Sequence, residues 1–126
     1  KAVNAAHAGD TIEICGGEYN ESITTKDNQN GLVIKAVDGE DVTINSSSNG
    51  ITTRNSSNLQ IENITIKAEG NAINFPNNAG KFKIKNVKLK STNAIGIYAK
   101  GCSNDFEIDG VEILSTGKEG IWIENG

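Results

Sequence analysis

Isoleucines return along this chain at a nearly constant interval, and that interval limits what the chain can fold into. Ile51, Ile73, Ile97 and Ile121 are spaced by 22, 24 and 24 residues. A second column, Ile61, Ile84 and Ile108, steps by 23 and 24, and a third runs Ile44, Ile66, Leu89 and Ile113 at 22, 23 and 24. Leu59, Phe82 and Phe106 form a fourth. Between the columns apolar and polar residues alternate, as in LQIENITIK (59–67), FKIKNVKLK (82–90) and FEIDGVEIL (106–114). Alternation is the two-residue period of a strand with one buried face. A repeat of this length holding three short strands is the signature of a coiled solenoid, here an all-β parallel β-helix.

The charges test that register independently. With the isoleucines aligned, Lys35, Glu62, Lys85 and Asp109 share a column and alternate in sign, while Lys83 falls over Glu107 and Lys88 over Glu112. Neighbouring strands lie roughly 4.8 Å apart. Opposite charges stacked at that distance attract, and like charges repel. A slip of one residue would break the match and turn every isoleucine outward.

At 126 residues the chain has room for one domain, residues 1–126, with 1–10 as an N-terminal cap and 11–126 as coils. Fourteen glycines, one proline and many Asn and Ser residues suit short strands joined by tight bends. A net charge of −4 disfavours nucleic acid, whose binders carry a basic stripe. The lysines Lys81, Lys83, Lys85, Lys88 and Lys90 do not reverse that, because acidic residues in the adjoining coils face them. No apolar run reaches the roughly 18 residues of a membrane span. The chain opens on Lys1 and so reads as a mature form or an excised segment, which makes the absence of a visible signal peptide uninformative.

Residues 1–8, KAVNAAHA, read as a capping helix with Val3 and Ala6 inward and His7, the only histidine, facing solvent. AGDTIEICGGEYNESI then leads into the stack. The first full coil, Ile23 to Gly50, is long at 28 residues because DGED (38–41) inserts a loop before VTIN. Further coils begin at Ile51, Ile73 and Ile97, with an incomplete one at Ile121, giving about four coils of 22–28 residues. A small residue precedes each leading isoleucine: Ser22, Gly50, Ala72, Gly96 and Gly120. Cys15 and Cys102 lie more than three coils apart, too far for a disulfide, and are expected as free thiols, Cys15 buried beside a turn and Cys102 in a loop. No metal site is expected.

Asn63, Asn86 and Gly110 share one position between two strands. Asn and Gly take left-handed backbone angles most readily, so this position reads as a sharp corner, with Asn63 and Asn86 bonded side chain to side chain along the stack. The sequons at Asn20, Asn45, Asn55 and Asn63 are what a chain rich in Asn and Ser produces by composition.

With these motifs the chain resembles the right-handed, single-stranded parallel β-helix proteins of the pectin-lyase-like superfamily. AGDTIEICGGEYNESI is similar to their entry segment, and GITTRNSSNLQIENITI and GIYAKGCSNDFEIDGVEI to their generic coils. The resemblance implies a fold and leaves activity open, since such proteins include lyases, hydrolases, esterases, tailspikes and non-catalytic adhesins. The polygalacturonase motifs N-T-D, D-D, G-H-G and R-I-K are absent. Arg54, the single arginine, has no aspartate cluster of the pectate-lyase kind around it. Calcium is implied by the resemblance alone, and no other cofactor is. A glycosidase needs two carboxylates about 5 to 9.5 Å apart. Glu62 and Asp109 are spaced for that, but stacked lysines already account for them.

An outward row remains on the strands that lead each coil: Thr24, Thr52, Asn74, Tyr98 and Trp122, beside Lys26, Arg54, Pro76, Lys100 and Glu124. Tyr98 and Trp122 are expected one above the other on a flat face, flanked by Lys100 and Glu124. Such a face suits sugar rings, which are apolar on their C–H faces and polar at their edges. By the resemblance, this side carries the saccharide groove. Tyr98, Trp122, Lys100, Glu124, Arg54 and Asn74 are therefore the candidate carbohydrate-binding residues. The competing reading is that Tyr98 and Trp122 pack against a further coil or a partner, because GIWIENG supplies one strand of a coil and leaves its edge open. The sequence thus predicts that further coils or another chain cover the end at Gly126. Two functions stay open: a secreted or cell-surface carbohydrate-associated protein, binding polysaccharide and forming part of a lyase or hydrolase, or a non-catalytic adhesin-like solenoid. An ice-binding lattice is not supported, since Thr24, Thr25, Thr52 and Thr53 give way to Asn74 and Phe75.

Overall fold

A computed structural model of the chain describes residues 2–103 and 105–124. Fifteen short strands form three five-stranded parallel sheets, each taking every third strand. The first sheet stacks β1 (Thr11–Ile14), β4 (Val33–Ala36), β7 (Gln60–Glu62), β10 (Lys83–Lys85) and β13 (Glu107–Asp109). The second stacks β2 (Gly17–Asn20), β5 (Val42–Ser46), β8 (Thr65–Ala68), β11 (Lys88–Ser91) and β14 (Glu112–Thr116). The third stacks β3 (Ile23–Thr24), β6 (Ile51–Thr52), β9 (Ile73–Phe75), β12 (Ile97–Lys100) and β15 (Ile121–Glu124). Three consecutive strands make one rung, and the molecule is a parallel β-solenoid of five rungs.

The isoleucine columns are the registers that hold it together. Ile51 pairs with Ile73, Ile73 with Ile97 and Ile97 with Ile121. Ile61, Ile84 and Ile108 align likewise, as do Ile44, Ile66, Leu89 and Ile113. In the middle rungs these side chains lie fully buried inside the coil. Phe82 is buried between Phe75, edge-on at 5.4 Å, and Phe106, stacked at 5.1 Å.

Five rungs replace the four expected because the entry segment is itself a complete rung. Ile12 stacks on Ile34 and Glu13 on Lys35, so residues 11–24 already contribute one strand to every sheet. The long coil is long for the anticipated reason: residues 37–41 separate β4 from β5, where two residues suffice at the same corner in the next three rungs. Those two-residue corners begin at Asn63, Asn86 and Gly110, with φ of 60°, 51° and 66°. Their backbone is left-handed as the sequence indicates, but no Asn63–Asn86 side-chain bond forms. The backbone N–H of Asn63 donates to Lys85 O and that of Asn86 to Asp109 O.

Asparagine side chains bridge rungs at the other two corners instead. Asn49 Oδ1 accepts from Asn71 N–H at 2.8 Å, and Asn71 Oδ1 from Ile95 N–H at 3.0 Å. Asn30 and Asn58 do the same for Ser57 and Lys81 N–H, each at 2.8 Å. Each bond satisfies a backbone donor that a turn would otherwise leave without a partner.

Helix α1 (Ala2–Ala5) lies across the first rung with Val3 and Ala6 against the core; Lys1 of the expected helix falls outside the described residues. The buried side chain of Gln29 fastens it, its Nε2 donating to Val3 O at 2.5 Å and Ala6 O at 3.0 Å. His7 faces solvent. Cys15 is exposed rather than buried, because it follows the last inward residue of β1 and the helix does not extend over it. Cys102 is half-buried, and both thiols are free.

Charge follows the register almost without exception. Seven charged pairs of register partners are opposite in sign, including the unbroken alternation Glu13, Lys35, Glu62, Lys85, Asp109 down the first sheet. The one like-signed pair among the described residues is Lys67 with Lys90 on the second sheet. Replacing Lys90 by Glu converts that repulsion into attraction. A gain of about 0.2–1 kcal/mol is expected, read as a raised urea midpoint at low salt that shrinks at high salt.

Candidate functional site

The third sheet presents its outward row as alternation dictates. Asn74, Tyr98 and Trp122 are consecutive register partners, and Lys100 pairs with Glu124. Inward neighbours Ile73, Phe75, Ile97 and Ala99 anchor β9 and β12 in the core. The row is therefore built on rigid strands, not on loops.

Its geometry differs from a flat platform. Tyr98 and Trp122 do lie on adjacent strands, but their rings meet edge to face, with centroids 6.0 Å apart and planes at 89°. The ring quadrupoles favour this arrangement over a parallel sandwich. The Tyr98 hydroxyl donates to Glu124 Oε2 at 3.1 Å. Partial burial and the adjoining Glu124 carboxylate raise the Tyr98 pKa above its ordinary value, so the phenol stays a protonated donor through neutral pH. Trp122 is 42% exposed and Lys100 is exposed, and both are accessible to a ligand. Asn74 is half-buried, and its Oδ1 accepts from Asn71 Nδ2 at 3.0 Å.

Arg54 stands apart from this group. It follows β6, two rungs from Tyr98, a separation of roughly 10 Å at the usual strand spacing. Its Nε lies 3.8 Å from Asp27 Oδ1 in an exposed pair beside Lys26. The structure thus brings Tyr98, Trp122, Lys100 and Glu124 together, places Asn74 at their margin, and leaves Arg54 outside.

A second surface was not anticipated. A polar groove of about 420 Å³ crosses the second sheet and its corner, lined by Asn20, Asn45, Ser47, Lys67, Lys90 and Thr92 among others. The signal for it in the sequence was the single break in charge alternation, Lys67 over Lys90. Neither lysine has an acidic partner within 4 Å among the described residues.

No three His, Cys, Asp or Glu side chains converge on a cation position among the described residues. Among the described residues no helix is long and apolar enough to cross a membrane. What fold and surface define together is a parallel β-solenoid with one outward aromatic pair. No protein-family model, curated protein or solved structure matches the chain.

Proposed function

We propose that this solenoid is a carbohydrate-binding module of the secreted or cell-surface kind, holding polysaccharide against the outer face of the third sheet. The observation that carries the reading is Trp122. A large amphipathic ring stands 42% exposed at an outward strand position, beside a tyrosine whose hydroxyl is already oriented by Glu124. Sugars offer apolar C–H faces to such a ring and hydroxyls to flanking groups such as Lys100 and Glu124. The resemblance to pectin-lyase-like proteins implies a saccharide groove on this side, in keeping with the same reading. Binding is the role proposed here, alone or as part of a lyase or hydrolase; the carboxylates that alternate down the first sheet have lysines as register partners.

A second reading is an adhesin-like spacer, favoured by the rung-to-rung hydrogen bonds and charge alternation that make the stack self-supporting. A fluorescence titration separates the two, since Trp122 is the only tryptophan. Uronate-containing and neutral oligosaccharides are titrated in turn. The binding reading expects a saturable shift with one sugar class and affinity at least about tenfold weaker in Tyr98→Ala, equivalent to about 1.4 kcal/mol. Calorimetry on Trp122→Ala is expected to show the larger loss. No response to any sugar, with a blue shift as protein concentration rises, would replace this reading with the spacer.

A further inference from the structure

On the second sheet charge and register part company. Down one outward column run Asn20, Asn45, Lys67, Lys90 and Ser115, each the register partner of the next. The charged column of the first sheet alternates in sign at every step, whereas this one holds two stacked lysines and no carboxylate. Adjacent strands lie only about 4.8 Å apart, and like charges facing one another across them repel. Neither lysine finds relief nearby. Both side chains are exposed, and neither makes an ion pair among the described residues. Glu18, an acid on the first rung of this face, is engaged by Asn45, whose Nδ2 donates to its Oε1 at 3.2 Å. A pair that opposes the stack, in a chain that otherwise keeps the charge rule, points to a use outside the stack.

The two lysines line the polar groove of about 420 Å³, a volume suited to a small ligand or a segment of a polymer. Its floor is firm, because Ile44, Ile66 and Leu89 anchor β5, β8 and β11 in the core. Its walls are amides and hydroxyls, and no aromatic or large aliphatic side chain lines it. A peptide or a nucleobase would find no apolar anchor there. Ser22 and Ser46 already spend their hydroxyls on Asn49 O, each at 2.7 Å. Asn20, Ser47 and Thr92 are exposed to the groove and complete its polar wall. Glu21 and Glu69 also line it, just past the ends of β2 and β8. They oppose a second anion at the corner, so the groove suits one negative group at the lysines and neutral polar groups beyond.

We propose that Lys67 and Lys90 hold the carboxylate or sulfate group of an anionic saccharide, whose neutral hydroxyls occupy the rest of the groove. Both ammonium groups donate charge-assisted hydrogen bonds to the oxyanion, and its charge offsets the repulsion between them. Negative groups separated by neutral sugar units suit the carboxylates at the corner, and a densely charged chain does not. The site lies on a different sheet from Tyr98 and Trp122, so either site can fail while the other stands.

The unaltered protein and Trp122→Ala, which removes the aromatic site, are each titrated with four probes: a uronate-containing oligosaccharide, a sulfated one, a neutral one of the same length, and sodium sulfate. Calorimetry gives affinity, and backbone amide NMR shifts give the place. One anionic oligosaccharide is expected to bind both proteins and to move the amides of residues 45–47, 67–69 and 90–92. Its affinity is expected to exceed that of the neutral sugar and of sulfate ion by at least about tenfold, and to fall as salt rises. Lys90→Glu is expected to lose at least about tenfold in affinity while its urea midpoint rises. A lysine with only a structural role would not give that combination. Lys67→Gln, which leaves no like pair, is expected to bind more weakly as well. Undiminished binding by Lys90→Glu, equal binding of the neutral sugar, or no binding of any anion would each overturn the proposal. Shifts confined to residues 98–100 and 121–124, lost in Trp122→Ala, would overturn it in favour of the third sheet. Sulfate ion binding as tightly as the oligosaccharides would overturn the saccharide and leave a free oxyanion as the ligand.

Discussion

Phe82→Ala is expected to lower unfolding free energy by about 3–5 kcal/mol, the range for truncating a buried phenylalanine. Domains of this kind hold about 5–15 kcal/mol in all, so the change removes a large share of the whole. The site has little room to collapse. Phe75 and Phe106 flank the ring at 5.4 and 5.1 Å, and strands paired above and below hold the backbone. Phe82→Leu, which keeps most of the volume, is expected to cost less than about 1.5 kcal/mol. A solenoid couples mainly nearest neighbours. The alanine variant should therefore loosen the fifth rung before the first three. Urea denaturation gives the magnitude, and hydrogen exchange resolved by rung gives the order of opening. A loss under about 1 kcal/mol, or uniform loosening, would mean the phenylalanine column is not the packing link described here.

Gly96→Val is expected to be nearly as damaging for a different reason. A β-carbon at Gly96 would stand 2.5 Å from the carbonyl oxygen of Gly120 and 3.4 Å from Thr116 Cγ2. The nearer atom is backbone, and it belongs to the bond that Ile97 N–H donates to Gly120 O at 2.9 Å. Overpacking of this kind costs about 1–3 kcal/mol, and relief requires β15 to move away from β12. Trp122 rides on β15. The variant should therefore change tryptophan emission in the native state as well as lowering the urea midpoint. An unchanged spectrum with a lowered midpoint would place the strain elsewhere. Gly96→Ala carries the same β-carbon and is expected to show the same spectral change, without the further bulk that valine sets against Thr116.

Much of this architecture was legible in the residues. The isoleucine columns gave the register because an inward position repeats once per rung, and the stacked charges checked it. The first rung was harder to see for a physical reason. The loop at residues 37–41 breaks the spacing between Ile34 and Ile61, and Tyr19 stands where later rungs have aliphatic residues. The candidate site was legible in part. Alternation placed Tyr98 over Trp122 and Lys100 beside Glu124, but assigned Arg54 to a group it does not join. That arginine follows the short strand β6 and turns toward Asp27 in the neighbouring loop.

Register, sheet membership and the sign of each layer follow from the sequence alone, because each depends on near-neighbour rules. Alternate side chains face opposite ways, and adjacent strands lie close enough for charge and volume to be matched residue by residue. The tertiary structure decided the rest. Rotamers and the lie of the corners set the Tyr98 and Trp122 rings perpendicular, gave the asparagine bridges to the second and third corners instead of the first, and left Cys15 exposed beside a short helix. Side-chain torsions and loop paths are set by everything packed around them in three dimensions, and no one-dimensional period records that.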